Sequence, residues 1–454
     1  MKLPTPDEFK ASEWTNKGKS LQHLRRFDDA IKCYDRALEI NPQLAEGWNN
    51  KGNSLHSLGR HDDAIKCYDR ALEINPKQAK IWTNKGSSLD SLRRFAEALR
   101  CYDRALEINP KQAEAWTNKG NSLNGLGRFA EAIKCLDKAL EINPQLAETW
   151  NIKGASLNGL GRFAEALTCY DRTLEINPQY AFAWFNKGNS LYSLGCFDEA
   201  VKCYDMALEI NPQDADVWTN KGLSLNGLGR FAEAIKCLDK ALEINPQLAE
   251  TWNIKGASLN GLGRFAEALT CYDRTLEINP QYAFAWFNKG NSLYSLGCFD
   301  EAVKCYDMAL EINPQDADVW TNKGLSLNGL GRFAEAIKCF DRALEINPKQ
   351  ADAWFNKGNS LDALRRFAEA VECYDKALEI NPQLAEAWFN KGNSLYSLRR
   401  FAEARKCNDK VLKINPQYAP AWLNKGICED QLGLRRDAAI SYRRFIELAP
   451  AEYA

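Results

Sequence analysis

The sequence predicts an all-α solenoid built from stacked helix-turn-helix repeats. Three observations lead to this prediction. A 34-residue unit recurs thirteen times, without a gap, over residues 11–452. All thirteen tryptophans fall at position 4 of their unit, from Trp14 to Trp422. Thirteen of the sixteen prolines fall at position 32, from Pro42 to Pro450, so every unit ends at the same kind of break. Units of this kind cannot bury an apolar core alone and must stack on one another.

Each unit contains two helical patterns separated by a short break. In the second unit, Trp48, Gly52 and Leu55 follow spacings of four and three residues, which places them on one helical face. A second pattern follows the break and is stopped by Asn75-Pro76, because proline disfavours the helical conformation of the residue before it. We therefore expect a pair of antiparallel helices per unit, with the small residue Gly52 where the two helices cross closely.

The recurring pattern resembles the tetratricopeptide repeat over nearly the whole chain. It consists of Trp at position 4, Gly at 8, Leu at 11, Ala at 20, Tyr or Phe at 24, Ala at 27 and Pro at 32. The resemblance implies a right-handed α-α superhelix, with first helices lining a concave groove and second helices on the convex side. Departures occur at positions 24 and 27, at Leu136, Leu238, Asn408, Thr173, Thr275, Val411 and Phe445. We expect residues 1–10 to be an N-terminal lead-in, residues 11–452 one solenoid, and residues 453–454 a C-terminal tail.

One block of the array is present twice, and the last unit is the most divergent. Residues 122–237 are identical to residues 224–339, an offset of three units. The last unit carries four arginines that we interpret as a polar cap: Arg435, Arg436, Arg443 and Arg444. Its apolar residues Tyr442, Phe445 and Leu448 lie at spacings that cannot all turn inward, which makes this end the expected site of any self-association.

Composition argues against several classes of partner. Lys and Arg total 59 against 60 Asp and Glu, so there is no basic excess for nucleic-acid binding. No apolar stretch is long enough to span a membrane, and the first residues do not form a secretory signal. Twelve of the fifteen cysteines recur 34 residues apart and no CxxC pair occurs, which favours reduced packing thiols in the cytoplasm over disulfides or zinc sites. Redox sensing by these thiols is the alternative.

Neither catalytic residues nor a cofactor or metal site is predicted. There is no phosphate-binding loop and no HExxH motif. His23, His56 and His61 are interpreted as ordinary polar residues, with a weak metal or proton site as the alternative. The invariant lysine at position 7 is interpreted as packing on the neighbouring unit, with a direct role in ligand binding as the alternative.

The candidate binding site is the row of residues that the first helices present to the groove. Position 6 is asparagine in eleven of thirteen units, although asparagine is a mediocre helix former. A side-chain amide offers donors and an acceptor, which suits an extended peptide backbone. The groove resembles in this respect those of armadillo proteins and of the nucleocytoplasmic O-linked N-acetylglucosamine transferases. The alternative is that these amides bridge neighbouring helices. The nine predicted contact residues of this row are Asn50, Asn84, Asn118, Asn186, Asn220, Asn288, Asn322, Asn356 and Asn390.

Aromatic residues cluster on the same predicted face and are candidate hot spots, with packing between repeats as the alternative. They are Phe182, Phe185, Tyr192, Phe284, Phe287, Tyr294, Phe355, Phe389 and Tyr396. The basic clamp by which tetratricopeptide co-chaperones hold acidic chaperone tails is not matched, because position 5 is never basic and position 6 is never arginine.

These observations predict a non-catalytic adaptor that binds extended segments of other proteins in its groove. The first alternative is a structural scaffold that self-assembles through the ends or edges of the solenoid, for example as a homo-oligomer through the C-terminal repeat. The second is a targeting module that belongs to a larger enzyme.

Overall fold

The computed structural model describes residues 6–448, which divide into two compact helical units. The first unit ends at Leu228 and the second begins at Gly229. The described residues contain 26 α-helices and no strand. Helix α1 begins at Pro6, inside the predicted lead-in. Residues 1–5 and 449–454, including the predicted tail, lie outside the described residues.

Odd-numbered helices are the first helices of their repeats, and even-numbered helices are the second. The helices of the first unit are α1 (Pro6–His23), α2 (Phe27–Ile40), α3 (Ala45–Ser57), α4 (His61–Ile74), α5 (Ala79–Ser91), α6 (Phe95–Ile108), α7 (Ala113–Gly125), α8 (Phe129–Ile142), α9 (Ala147–Gly159), α10 (Phe163–Ile176), α11 (Ala181–Ser193), α12 (Phe197–Ile210) and α13 (Ala215–Gly227). Those of the second unit are α14 (Phe231–Ile244), α15 (Ala249–Gly261), α16 (Phe265–Ile278), α17 (Ala283–Ser295), α18 (Phe299–Ile312), α19 (Ala317–Gly329), α20 (Phe333–Ile346), α21 (Ala351–Ala363), α22 (Phe367–Ile380), α23 (Ala385–Ser397), α24 (Phe401–Ile414), α25 (Ala419–Gln431) and α26 (Arg435–Leu448). The predicted helix pairs are confirmed.

The turn inside each repeat requires a left-handed residue at position 15. Gly59 has a φ of 75°, which glycine adopts without a steric penalty. Four repeats place arginine there instead, and the backbone keeps the same conformation, with φ of 57–60° at Arg25, Arg93, Arg365 and Arg399. The turn geometry therefore comes from the packing of the two helices and not from glycine alone.

The turn between repeats is stabilised by the Asn-Pro pair that stops the second helix. The backbone N–H of Asn75 donates to the carbonyl of Ala71, which completes the last helical turn. The side chain of Asn75 then accepts the backbone N–H of Lys77 at 3.2 Å, an Asx turn that carries the chain past proline. The indole Nε1 of Trp82 donates to the Pro76 carbonyl at 3.0 Å and fixes the next first helix against this turn.

The core of each repeat is formed where its two helices cross. In the second repeat Ala64 and Tyr68 are almost fully buried. A Cβ atom added at Gly52 would lie 2.6 Å from the Tyr68 ring, so only glycine permits this close approach. The prediction that Gly52 lies at the crossing point is confirmed. Among the described residues, none of the helices carries an apolar stretch that meets the requirements of a membrane span.

Candidate functional site

The candidate site is the face formed by the first helices, called the groove surface below. Within each unit, first helices of successive repeats touch one another, as α5 touches α7 and α17 touches α19. On the opposite side, clefts open between successive second helices. One of them has a volume of about 630 Å³ and is lined by Asp341, Trp354 and Lys357, among others. The stack is therefore tighter on the first-helix side, where a concave face is expected.

In the clefts on the second-helix side, the position-7 lysine is already paired. Lys357 Nζ lies 2.6 Å from Asp341 Oδ1 of the preceding repeat and 5.4 Å from the centroid of the Trp354 ring. The same ion pair and the same cation–π contact recur at Lys51, with Asp35 and with the ring at position 4 of its own repeat. Position-7 lysines therefore tie each repeat to the one before it, as the packing interpretation expected.

The nine predicted position-6 asparagines are half-buried on the groove surface. Asn84 Nδ2 donates to Oδ1 of Asn49 and of Asn53 in the preceding repeat, at 3.0 Å in both cases. Side-chain bridges of this kind recur at Asn186, Asn220, Asn288, Asn322, Asn390 and Asn424. In these repeats the Nδ2 atoms bridge neighbouring helices, which is the alternative that the sequence left open.

The remaining predicted asparagines differ from this arrangement. Asn356 Nδ2 donates to the Asp352 carbonyl of its own helix at 2.8 Å. Asn50 Oδ1 accepts from Asn49 Nδ2 at 3.3 Å, and its own buried Nδ2 has no partner. Asn118 is half-buried, and its backbone carbonyl accepts from Ser122. These asparagines therefore share a position in the repeat but do not all make the same hydrogen bond.

In four repeats a buried tyrosine fixes the orientation of the bridging amides. Tyr204 Oη donates to Asn189 Oδ1 at 2.8 Å, and Asn220 Nδ2 donates to the same oxygen at 3.1 Å. Burial raises the pKa of the Tyr204 phenol, so it stays protonated and remains a donor. Because Asn189 Oδ1 accepts both bonds, Asn189 Nδ2 and Asn220 Oδ1 are left for a ligand. Equivalent triads are Tyr68–Asn53–Asn84, Tyr306–Asn291–Asn322 and Tyr374–Asn359–Asn390.

A second row of hydrogen bonds joins position 10 of one repeat to position 12 of the repeat before it. Ser190 Oγ donates to Asn158 Oδ1 at 2.8 Å, and Ser292 Oγ donates to Asn260 Oδ1 at the same distance. In the third repeat the acceptor is Asp90, whose pKa is raised by burial. Sequence reasoning missed this row. The available signal was a serine at position 10 in twelve of thirteen repeats, inside a helix where serine has no intrinsic advantage.

The predicted aromatic residues divide into exposed and packed side chains. Phe182 and Phe284 are 65% and 66% exposed, and Tyr294 and Tyr396 are each 38% exposed. The half-buried members are Phe185, Tyr192, Phe287, Phe355 and Phe389. Of these, Phe185, Phe287 and Phe355 pack against the position-24 tyrosine of their own repeat, at ring-centroid distances of 6.1–6.2 Å. Phe182 and Phe284 are therefore the aromatic side chains most available to a ligand.

The edge of the groove surface at position 2 is acidic. Eight repeats place an exposed carboxylate at this position, and only Lys80 is basic there. The eight are Glu46, Glu114, Glu148, Asp216, Glu250, Asp318, Asp352 and Glu386. Glu46 is ion-paired with Lys19, and the other seven carboxylates give this edge a negative charge although the formal net charge of the chain is only -1.

The histidines and cysteines do not assemble a metal site in the described part of the chain. No group of three metal-ligating side chains is found there. His56 Nδ1 lies 2.8 Å from Ser88 Oγ, its ring is 4.9 Å from that of His61, and burial lowers its pKa. All fifteen cysteines are unpaired; thirteen are buried, and Cys196 and Cys298 are exposed.

Comparisons with known proteins agree with the repeat pattern. The profile described as tetratricopeptide repeat matches residues 11–316 as nine consecutive segments and residues 385–418 as a tenth. A second profile with the same description matches residues 321–385. Comparison with curated proteins gave no match.

Comparison with solved structures also gave matches. A chain of the APC/C hetero-tetramer Cut9-Hcn1 is 14% identical, with a TM-score of 0.43 over 99% of this chain and 94% of that chain. Yeast Tom70 is 18% identical, with a TM-score of 0.39 over 94% and 96% of the two chains. YrrB, described as a TPR protein with an unusual peptide-binding site, is 28% identical, with a TM-score of 0.36 over 41% of this chain and 96% of its own.

Proposed function

Because this chain belongs to the tetratricopeptide repeat family, whose members are generally scaffolds for protein interactions, we propose that it is an adaptor. It holds extended segments of partner proteins along the groove surface and catalyses no reaction. We place it in the cytoplasm, since unpaired cysteines, thirteen of them buried, are typical of a reducing compartment.

The observation that carries this proposal is the fixed orientation of the groove amides. In each tyrosine triad, one amide N–H and one amide carbonyl remain without a partner on neighbouring repeats, as at Asn189 and Asn220. An extended peptide backbone offers a carbonyl and an N–H of its own, so it pairs with both groups without regard to side-chain identity. Since the amides are already held in place, binding does not have to order them.

The charge of the groove edge indicates the composition of the bound segment. Eight exposed carboxylates at position 2, including Glu114 and Glu250, favour a segment rich in lysine or arginine. Exposed Phe182 and Phe284 occupy the same position in two repeats and offer apolar contact beside these carboxylates. We expect the affinity to fall as salt concentration rises, because exposed charges are screened over about 10 Å at 0.1 M salt.

Selection of peptides by the chain tests the proposal. Random linear peptides displayed on phage are panned against the wild-type chain, and selected peptides are synthesised and titrated by calorimetry. A variant with Asn220→Ala, Asn322→Ala and Asn390→Ala should bind them at least about tenfold more weakly, since each lost hydrogen bond is worth about 0.5–1.5 kcal/mol. The matched control carries three alanines at exposed lysines of the second helices, Lys202, Lys304 and Lys338.

Two results would contradict the proposal. If the asparagine variant keeps full affinity while the lysine control loses it, the binding surface lies on the second helices. Melting curves of both variants accompany the titrations. A large drop for the asparagine variant, with affinity unchanged, would show that these amides serve folding alone.

Self-association through the last repeat is a second candidate function, supported by exposed apolar residues on its second helix. Ile440 and Ile446 are each 63% exposed. Tyr442, Phe445 and Leu448, which the sequence singled out, are half-buried. Exposed apolar side chains favour association with a second copy. The scaffold alternative therefore depends on the two isoleucines.

A further inference from the structure

Two first helices, α11 and α17, carry an exposed aromatic ring at position 2, where eight other repeats carry a carboxylate. Phe182 is 65% exposed in the first compact unit, and Phe284 is 66% exposed in the second. Both rings belong to the stretch of sequence that is present twice, so each unit holds one copy of the ring with its surroundings. A ring this exposed gains the stabilisation of burial only when a partner covers it.

A carboxylate stands on either side of each ring. In the first unit α11 touches α9 and α13, which carry Glu148 and Asp216 at the same position as Phe182. In the second unit α17 touches α15 and α19, which carry Glu250 and Asp318. All four carboxylates are exposed. Position 2 is therefore acidic, aromatic and acidic in turn across three neighbouring repeats of each unit.

The carboxylate of the preceding repeat acts on the end of the helix that presents the ring. Burial raises the pKa of Tyr180, two residues before Phe182, and the Glu148 carboxylate adds to the rise. Burial and then Glu250 raise the pKa of Tyr282 in the second unit. The negative charge is therefore felt beside each exposed ring.

The flanking carboxylates remain available to a cationic partner. Unlike Glu46, which pairs with Lys19, none of the four forms an ion pair with another described residue. Asp318 Oδ1 accepts a hydrogen bond from Gln350 Nε2 at 2.9 Å, and this neutral donor leaves the negative charge in place. A segment that reaches either ring therefore meets two uncompensated negative charges.

The groove amides beside each ring have the same arrangement in both units. Asn186 Nδ2 donates to Asn151 Oδ1 at 3.2 Å, and Asn288 Nδ2 donates to Asn253 Oδ1 at the same distance. In the tyrosine triads of the sixth and ninth repeats, the phenol donates at 2.8 Å in both, and the bonds between the asparagines are 3.1 and 2.9 Å. Two surfaces with the same residues and nearly the same geometry should bind a given segment with nearly the same affinity.

We propose that the chain has two equivalent binding sites, one in each compact unit, for a protein segment in which a basic residue stands on either side of an apolar one. The apolar side chain covers Phe182 or Phe284, and the basic side chains pair with the flanking carboxylates. Neighbouring helices lie about 8–10 Å apart and an extended chain rises about 3.3 Å per residue, so each basic residue is about three positions from the apolar one. The two sites rest on the proposed adaptor function, to which they add the pattern of the bound segment and the number bound.

Segments of other composition fit these sites less well. An acidic segment would bring like charges against the carboxylates on both sides of the ring. A purely basic segment would leave the ring in water, and a purely apolar one would leave both carboxylates without a cationic partner. Only the alternation of basic and apolar residues matches all three neighbouring repeats at once.

Titration with the synthetic peptide acetyl-SKTSFTSKS-amide counts the sites. Calorimetry on the full chain, at chain concentrations above the dissociation constant, should give two peptides bound per chain with affinities equal within about threefold. Phe182→Ala and Phe284→Ala should each keep one site at the original affinity and weaken the other at least about tenfold, because the ring is no longer covered. The double variant should weaken both sites. Melting curves of these variants should match the wild type, since alanine suits an exposed helical position.

Two matched controls separate the ring and the charges from general effects. Phe9→Ala removes a 60% exposed ring from α1 and should still bind two peptides. The peptide with both lysines replaced by serine should bind the wild-type chain about threefold to tenfold more weakly, because each exposed ion pair contributes little.

A single site on the wild-type chain, or two unchanged sites in Phe182→Ala, would overturn the proposal. Equal affinity for the lysine and serine peptides, or no binding of the lysine peptide, would overturn it as well. If phage selection yields peptides without this pattern that still need the groove asparagines, the adaptor proposal stands and the two basic–apolar–basic sites fail. If the lysine peptide binds twice but the asparagine variant binds it unchanged, the two sites stand and the pairing of the peptide backbone with the amides fails.

Discussion

Replacing Glu429 with leucine is expected to loosen the last repeat, although leucine occupies position 11 in the other twelve. Glu429 is 1% exposed, accepts a hydrogen bond from Ser441 Oγ at 2.7 Å and has its other oxygen 3.0 Å from Arg405 Nε. The contact with Arg405 is an ion pair without the alignment of a good hydrogen bond. Arg405 replaces an apolar residue, and Ser441 a cysteine, that the other twelve repeats carry at the same position.

The expected magnitude follows from the two contacts and the burial. Removing one partner of a buried ion pair costs about 3 kcal/mol at the lower end of its range. The lower end applies because the Arg405 side chain is 33% exposed and reaches water. Loss of the acceptor for Ser441 costs about 1 kcal/mol more. Burial of leucine offsets about 2 kcal/mol, which leaves a net destabilisation of about 2 kcal/mol.

The assay is amide hydrogen exchange of α26, because long repeat arrays do not unfold in one step. Opening of α26 should become about 30-fold more frequent in Glu429→Leu, while α4 serves as the internal control. The triple variant Arg405→Val, Glu429→Leu and Ser441→Cys restores the apolar pattern and should protect α26 at least as well as the wild type. If Glu429→Leu alone protects α26, the three polar residues are not a compensating set and the reasoning is wrong.

Three further predictions concern packing, thiol chemistry and self-association. Gly290→Ala should destabilise its repeat by about 1–3 kcal/mol, measured by amide hydrogen exchange, because its Cβ would lie 2.6 Å from a tyrosine ring. Gly392→Ala, with 3.3 Å available, should cost less. Only the two exposed thiols should react with a thiol reagent in the native chain. Burial raises the pKa of the Cys203 and Cys305 thiols from 9.0 to about 11, so their contribution to stability should be fully present below pH 9 and fall as the pH rises toward 11, because the unfolded thiols ionise first. Ile440→Lys with Ile446→Lys should remove any concentration-dependent dimer in analytical ultracentrifugation; a dimer that persists would rule out a role of these two side chains in its interface.

The fold could be predicted from the sequence because every repeat carries nearly the same pattern of apolar, glycine and proline residues. Apolar spacing fixes which face of a helix is buried, and Asn-Pro fixes where the second helix ends, as at Asn75. The close approach of Gly52 to a ring also follows from residue size. The packing role of the position-7 lysines was likewise anticipated, although their aspartate partners were not.

The hydrogen-bond network could not be predicted in the same way. Spacing within a helix says which residues share a face, but the partner of Asn84 is set by the offset between neighbouring repeats. The recurring serine at position 10 was visible, yet its acceptor at position 12 of the preceding repeat was not. The sequence pattern gave leucine at position 11 of the repeat, and the departure at Glu429 was overlooked. In the twelfth repeat a cavity lies beside Asn408 because position 24 carries no ring there. It could be recognised only once the positions of the surrounding residues were known.

The contacts between neighbouring repeats also bear on how such a chain changes in evolution. An indole–carbonyl bond and a lysine–aspartate pair join neighbours throughout, as Trp82 joins Pro76 and Lys85 joins Asp69. Both halves of each contact recur at fixed positions, so a copied repeat finds complementary partners wherever it is inserted. Recombination between segments that encode the same residues, such as 122–237 and 224–339, would therefore alter copy number without requiring compensating mutations. A change in the number of repeats would then lengthen or shorten the groove surface while leaving the contacts between neighbouring repeats as they are.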